Sequence, residues 1–500
     1  MKKKTKLIFT RAFYIALLIV LQIGGMIFLN YYISSAYTWI RYAFNVLAIL
    51  LFFYIVSSDS PASITLPWIV LIGISPIIGI TIYIIFGRKM TKRLVAKKYQ
   101  RTTKEVYKIE NNYGNKHQEF KLFEDYTGST AKENSKVTYL KDGETLFLKM
   151  QEEFKKAEKY IFIEYFIVED GVFWKTIFDI LKERMSKGVK IYMIVDSFGC
   201  STKLSRKDFK EITSSGIILR EFNKFNPIVD VVQNNRDHRK LSIVDGRVGF
   251  MGGTNIADEY INEVRPFKWW VDNNVMIEGE AVINLIELFI NQYNAMTLDK
   301  YDLSINDFIG EPNTIKSNEL VLPFGVGPYP VYQERAAEAI YLDLIERANK
   351  TVYISSPYFV VDTYFVDALV NASKRGVDVR MIFPGVADKY LVNIICRDSY
   401  QRLIDGGIKV YEYKKGFIHS KSIYADDEAI VGTINFDYRS LIHNFECGTL
   451  IKNSPSIDEM YKDYLEIIKN DSELQTTKSH KLNLFEKIIR NILKVFYPLF

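Results

Sequence analysis

One short pattern occurs twice in this chain, and it constrains the fold more than any other feature. Residues 238–245 read HRKLSIVD and residues 419–426 read HSKSIYAD, so a histidine, a lysine and an aspartate recur at one spacing. Around the first copy, His238, Lys240 and Ser242 alternate with Leu241 and Ile243, a period of two that predicts a strand. The surroundings recur as well. The buried strand read from YIFIEYFIV (160–168) is answered by TVYISSPYFVVD (351–362). The amphipathic helix WKTIFDILKERMSKG (174–188) and the strand VKIYMIVD (189–196) are answered by YFVDALVNASKRGVDVRMIFPG (364–385), with Gly376 in the place of Gly188. GIILREFN (216–223) is answered by GIKVYEY (407–413). The chain is therefore read as an internal duplication of about 180 residues, with a βαβ rhythm that implies mainly parallel sheets covered by helices. The polar run 309–319 is the junction.

Each histidine motif is followed by glycine and asparagine: GFMGGTN (249–255) with Gly253, Thr254 and Asn255, and AIVGTIN (429–435) with Gly432, Thr433 and Asn435. If the repeats pack about a pseudo-twofold axis, two His, two Lys and two Asn converge on one cleft. Four of the six can be cationic, so the natural guest is a phosphate. The same set supplies chemistry: a neutral imidazole can attack phosphorus and a protonated one can donate to the leaving oxygen. His238, Lys240, Asp245, His419, Lys421 and Asp426 are the catalytic candidates, and Asn255 and Asn435 are candidates for phosphate binding. Arg236, just before the first motif, is a further candidate for a lipid phosphate. No carboxylate cluster with metal spacing is present, and Cys200, Cys396 and Cys447 show none either, so neither cofactor nor metal is expected.

The ends of the chain are apolar. Stretches at 12–33, 37–56 and 64–86 each approach the roughly 20 residues that cross a bilayer, so two to three transmembrane helices are expected. Basic clusters precede the first stretch (Lys2, Lys3, Lys4, Lys6, Arg11) and follow the third (Arg88, Lys89, Lys92, Arg93, Lys97, Lys98). The second adjoins the catalytic region and puts it on the cytoplasmic face of a multi-pass cell-membrane protein. In the tail 481–500, Phe485, Ile488, Ile489, Ile492, Leu493 and Phe496 follow helical spacing, with Glu486, Lys487, Arg490 and Lys494 opposite, which suggests a helix lying on anionic lipid. A net charge of +6 is too small to argue for nucleic acid, and none is expected as a partner. The oligomeric state is left open.

The doubled His-x-Lys-x4-Asp pattern resembles the phospholipase D superfamily, and the hydrophobic N-terminus narrows the resemblance to its bacterial cardiolipin synthases. GTINFDYRS (432–440) and NFE (444–446) resemble the run that follows the family's second motif. Two stretches depart from it: WWVDNN (269–274), where the family often has Trp-Arg-Asp-Thr-His, and Val361, where it usually has proline. The resemblance implies an α/β fold, with two phospholipase D-like βαβ repeats forming a pseudo-twofold pair of mixed sheets behind N-terminal transmembrane helices. The expected division is a transmembrane region at 1–90, a juxtamembrane linker at 91–135, repeats at 136–310 and 311–475, and a membrane-surface tail at 476–500. Gly253, Thr254, Thr433, Asp437, Arg439, Ser440 and Glu446 are expected to support the reacting groups. The implied reaction is phosphatidyl transfer between two phosphatidylglycerol molecules through a phosphohistidine, giving cardiolipin and glycerol. The alternative is a phosphodiesterase that uses water or another alcohol.

Since the lysines and an imidazolium can supply the positive charge, activity is expected to survive strong chelation. Complete loss on chelation, with rescue by one divalent ion, would contradict that.

Overall fold

In the computed structural model, residues 24, 28, 38–57, 62–84, 118–223, 235–296, 303–309, 315–329, 331–333, 335–477 and 484–494 are described. The first repeat supplies β1 (Ser135–Leu140), β2 (Tyr160–Tyr165), β3 (Lys190–Asp196), β4 (Ile218–Phe222), β5 (Lys240–Val244), β6 (Val248–Gly252), β7 (Trp269–Val271) and β8 (Asn274–Gly279). The second supplies β9 (Leu320–Val326), β10 (Thr351–Ser355), β11 (Phe359–Val360), β12 (Asp378–Pro384), β13 (Lys409–Tyr413), β14 (Gly416–Ile418), β15 (Ser422–Ala425), β16 (Glu428–Gly432), β17 (Phe436–Asp437), β18 (Glu446–Lys452) and β19 (Ser472–Leu474). Two mixed sheets result, ordered β1-β8-β6-β5-β2-β3-β4 and β19-β13-β12-β10-β15-β16-β18-β9. β2, β3 and β4 run parallel, as do β10, β12 and β13, joined by the helices Val172–Ser186 and Thr363–Lys374. The α/β pair of mixed sheets is as the resemblance implied. The mainly parallel order expected from the βαβ rhythm holds only within these two strand triplets, and the other pairings of both sheets are antiparallel.

Four layers form because each sheet buries both faces. The outer face of the first sheet packs Ile161, Ile163 and Val195 against Phe173, Ile177 and Leu181 of its helix. The second sheet does the same with Val352, Ile354 and Met381 against Phe365 and Leu369. Between the sheets one shared core joins Phe162, Leu241 and Val275 to Tyr353, Ile418 and Val431. Register makes the pseudo-twofold relation residue by residue. The thiol of Cys200 accepts from the Val168 N–H and that of Cys396 from the Phe359 N–H, both at 3.3 Å. The cysteines are thus equivalent positions in a duplicated loop, and all three are buried and unpaired.

The reading of both motif aspartates is corrected here. Asp245 and Asp426, read as catalytic, sit beyond the far ends of β5 and β15 with φ of 53° and 54°. Asp245 accepts from the backbone N–H groups of Glu158, Lys159 and Tyr160 at 2.7–2.8 Å. Asp426 does the same for Asn349, Lys350 and Thr351. At about 3.3 Å per residue, five residues of strand put each carboxylate roughly 16 Å from its lysine. They staple the turn before the next strand and touch no reacting group. The tail, expected at the membrane surface, is docked along one edge. The helix Leu484–Lys494 does not lie apart from the catalytic body. Arg490 and Lys494 pair with Asp398 at 3.2 and 2.8 Å, and Leu493 enters a cluster with Val360, Ile395 and Cys396. Leu484, Phe485 and Ile488 remain exposed, so only part of the apolar stripe faces outward.

Of the N-terminal stretches, Thr38–Val56 forms a 19-residue helix that is long and apolar enough to cross a bilayer. The third expected span is two shorter helices, Ala62–Ile74 and Pro76–Ile82. They break at Pro76, which cannot donate into the preceding turn. Apart from Gly24 and Phe28, the span expected at 12–33 lies outside the described residues, as do Phe496 and residues 91–117 of the linker.

Replacing either turn aspartate by alanine is expected to cost about 2–4 kcal/mol of stability, because three backbone donors lose a charged acceptor and the left-handed turn loses a tolerant residue. Thermal unfolding of Asp245→Ala and Asp426→Ala in detergent checks this. Unchanged melting with lost activity would return the aspartates to the chemistry.

Candidate active site

The two histidines stand just before β5 and β15, and each is held by the opposite repeat. The His238 N–H donates to Phe445 O at 2.9 Å and the His419 N–H to Val271 O at 2.6 Å. The next residue along, in both cases, is an acid. Glu446 meets His238 Nδ1 through both carboxylate oxygens at 2.9 Å, and Asp272 meets His419 Nδ1 at 2.6 Å. With Nδ1 so occupied, Nε2 is the nitrogen each imidazole has for a ligand. Lys240 Nζ donates to His238 O at 2.7 Å, and Lys421 Nζ bonds both His419 O and, at 2.7 Å, His419 Nδ1. Both lysines are buried, at 1% and 0% exposure, so neither charge is relaxed by water.

Burial therefore governs the protonation states. It lowers His238 to about 4, with Glu446 opposing and Lys240 and Lys421 adding to the fall. Burial, then Lys421, Lys240 and His238, hold His419 well below the usual histidine range, which puts the histidines and lysines of the two repeats within one field. Burial also brings Lys240 down to about 8 and Lys421 to about 7. An anion entering this field reverses every one of these shifts, because it favours the charged form of all four groups.

The two acids are not equal. Thr433 Oγ1, Ser440 Oγ and Asn444 Nδ2 donate to Glu446 at 2.5, 2.7 and 3.2 Å. Burial alone would raise Glu446, yet the His238 contact, Lys240 and the Thr433 bond hold it below its ordinary value. Asp272 takes one backbone bond, from Asn273 N at 2.9 Å, and burial pushes its carboxyl up to about 7. Register explains the difference. Gly252 pairs with Asn274 and Gly432 with Gly448, so Gly253 is the counterpart of Thr433. A side chain at Gly253 would lie 2.0 Å from Asp272 Oδ1. Thr254 is instead one place further on, bonded to the Asn274 amide at 2.9 Å and not to an acid.

The other expected residues divide. Asn255 accepts from Ile167 N at 3.0 Å and donates to Tyr260 OH at 2.6 Å, so one of its two amide hydrogens is already placed. Its counterpart Asn435 is buried with Oδ1 unbonded. Asp437 accepts from Ser440 N at 2.8 Å and sets the turn that carries Ser440. Around His419, the ring of Trp270 lies tilted at 5.1 Å and that of Tyr260 edge-on at 5.4 Å, and Phe166 lies 5.0 Å from His238. Asp272 was missed in the sequence. It sits in WWVDNN, set aside as a departure, though the acid two residues ahead of β8 matches Glu446 at the head of β18. Among the described residues no group of three or more His, Cys, Asp or Glu could hold a metal ion.

Comparison with known proteins bears on this arrangement. The family description "Cardiolipin synthase, PLD-like domain" matches residues 150–294 and 341–469. A protein of Streptococcus mutans described only as uncharacterized is 32% identical over 462 residues, spanning 89% of this chain and 98% of that one. Cardiolipin synthase 2 of Bacillus anthracis is 30% identical over 476 residues, 91% of this chain and 90% of that one. Among solved structures, phosphatidylserine synthase of Haemophilus influenzae superposes with a TM-score of 0.54 at 14% identity, covering 72% of this chain and 92% of that one, a likeness of fold.

The lowered lysines set a pH dependence. Above about 8 Lys240 loses its proton in the free enzyme, and with it the charge that holds a phosphate. The alkaline limb of kcat/KM is therefore expected near pH 7–8, set by the two lysines and far below that of an ordinary lysine. Lys421→Arg, which stays charged, should move the limb upward, toward that of Lys240. A limb unmoved by that change would place the titration elsewhere.

Proposed function

The chain belongs to the cardiolipin synthase family built on phospholipase D-like domains, and from that premise we propose that it forms cardiolipin from two phosphatidylglycerol molecules and releases glycerol. The observation that carries the reading is the reciprocal pair of histidine–acid contacts, His238–Glu446 and His419–Asp272, flanked by two buried lysines. The residues proposed to act are His238, His419, Lys240 and Lys421, with Asn255 and Asn435 as donors to the phosphate. One Nε2 attacks phosphorus, forming the P–N bond, while the other imidazole protonates the departing glycerol oxygen. In the second half the terminal hydroxyl of another phosphatidylglycerol attacks the phosphohistidine. The P–N bond breaks, and the hydroxyl proton returns to the second imidazole. The lysines hold the non-bridging oxygens as charge shifts. Glu446 and Asp272 are positioning residues that fix tautomer and ring direction.

The membrane part of the reading rests on the Thr38–Val56 helix and the lipid nature of the substrates. We place the catalytic body on the cytoplasmic face from the basic cluster at 88–98. The exposed edge of the Leu484–Lys494 helix, with Phe485 and Ile488, suits contact with the headgroup layer, while its docked edge fixes that contact relative to the cleft. The second reading, hydrolysis, differs only in the acceptor.

Purified protein given phosphatidylglycerol alone should yield cardiolipin and glycerol in equal amounts. His238→Ala and His419→Ala should each lower the rate about 10²- to 10⁴-fold, because nucleophile and acid are both required. Phosphatidate as the main product would favour the hydrolytic reading. Near-normal cardiolipin formation by either variant would sink the shared site.

A further inference from the structure

The two ends of the cleft are built from equivalent positions but carry different chemistry. Pairing of β10 with β15 and of β2 with β5 fixes the register of the repeats. Two residues before each histidine stand Arg236 in the first repeat and Phe417 in the second. Four residues after each phosphate-facing asparagine stand Glu259 in the first and Arg439 in the second. Each repeat thus contributes one arginine, and the pseudo-twofold brings both to the His238 end. At the other end Phe417, with Trp270 and Tyr260, gives an aromatic wall around His419, and Glu259 lies 3.8 Å from Lys203 Nζ.

Several contacts build the arginine end. Arg236 is 8% exposed, and its guanidinium lies 4.8 Å over the ring of Phe198, which is 53% exposed and covers it from outside. Its Nη1 is 3.9 Å from Asp196 Oδ1. Its carbonyl accepts from Phe445 N at 2.8 Å, and the carbonyl of Arg439 accepts from Asn444 N at 2.8 Å, so the two arginines flank one turn. Burial lowers the Arg236 pKa, Asp196 opposes this and Arg439 lowers it further, which puts the guanidiniums within electrostatic reach of each other. Asp196 and Asp437 face the pair. Burial pushes the Asp196 carboxyl up to about 6 and raises that of Asp437 as well.

A transferase that joins two anionic lipids has a need that a hydrolase lacks. The phosphorus under attack is held by the His–Lys set. The acceptor brings a second phosphodiester, one glycerol unit away, and that charge needs its own partners in the same cleft. Paired guanidiniums match a phosphodiester in shape and charge. We propose that Arg236 and Arg439 form an acceptor subsite, which grips the phosphodiester of the second phosphatidylglycerol while its terminal hydroxyl reaches the phosphohistidine. This rests on the cardiolipin-forming reading above and names the residues that would favour an anionic lipid over water.

The test compares two acceptors on the same enzyme. With phosphatidylglycerol alone, cardiolipin is measured. With excess labelled glycerol, exchange of label into phosphatidylglycerol is measured, which uses a neutral acceptor. In Arg236→Gln and Arg439→Gln the ratio of cardiolipin formation to glycerol exchange should fall about 10- to 100-fold, the range for one charge-assisted contact. The KM for acceptor should rise, and Arg236→Lys should recover part of the ratio. Millimolar inorganic phosphate is the control for a free anion. It should leave the wild-type ratio unchanged, and inhibition relieved by the variants would overturn the proposal in favour of a free-phosphate site. A fall of both activities together, or of neither, would overturn the subsite while the reading stands. Wild-type protein that exchanges glycerol but makes no cardiolipin would overturn both.

Discussion

Each histidine is oriented by a carboxylate from the other repeat, and much of the structure follows from that exchange. A repeat alone would hold an imidazole with nothing to fix its tautomer and an acid with nothing to orient. The backbone enforces the same dependence. β7 runs parallel to β14, and the bridge between Asp237 and Phe445 is its twofold counterpart. The shared core between the sheets, from Phe162 and Leu241 to Tyr353 and Val431, supplies the burial that keeps these cross-contacts in register. The duplication therefore yields one site, not two.

Concentrating cations in a dry cleft is costly: an ion buried without its partner is disfavoured by on the order of several kcal/mol. Lys240 and Lys421 show how the fold limits this, since each ammonium meets the carbonyl of its own histidine and lies within the field of Glu446 and Asp272. The remaining imbalance is what an anion relieves. A phosphodiester enters a site already short of negative charge, and its arrival moves the imidazoles from neutral toward charged, the state the acid step requires. Binding and activation are thus one electrostatic event.

The sequence carried the architecture well because duplication doubles every signal. The alternation of β5, the glycines at Gly188 and Gly376 and the histidine motif were each read twice, and the two-sheet α/β fold is there. Three features were misread for physical reasons. The aspartate that completes the motif travels with the histidine in sequence, but an extended strand carries it to the other end of the sheet. Asp272 is far from His419 along the chain, and only the fold brings the two close. The threonines were matched by the letters Gly-Thr, whereas strand register sets Gly253 against Thr433 and leaves Thr254 beside Asn274. Linear spacing finds what a strand or helix repeats; it is blind to what a pseudo-twofold axis exchanges.

That last mismatch has a chemical consequence. Thr433 gives Glu446 a hydroxyl, and the His238 contact, Lys240 and that bond hold its carboxylate below its ordinary value, with Ser440 and Asn444 also donating to it. The glycine opposite can give Asp272 nothing, and space for any side chain there is closed by Asp272 itself. Burial, with fewer donors to offset it, pushes the Asp272 carboxyl up to about 7. One imidazole is backed by a fixed negative charge and the other by a group that can gain or lose a proton at working pH. Double displacement asks for two unlike histidines, since one must carry a covalent phosphoryl group while its partner passes a proton out and back. A perfectly symmetric pair would offer two equal candidates for both tasks. The smaller donor set around Asp272, beginning with the hydroxyl that Gly253 lacks, makes them unequal.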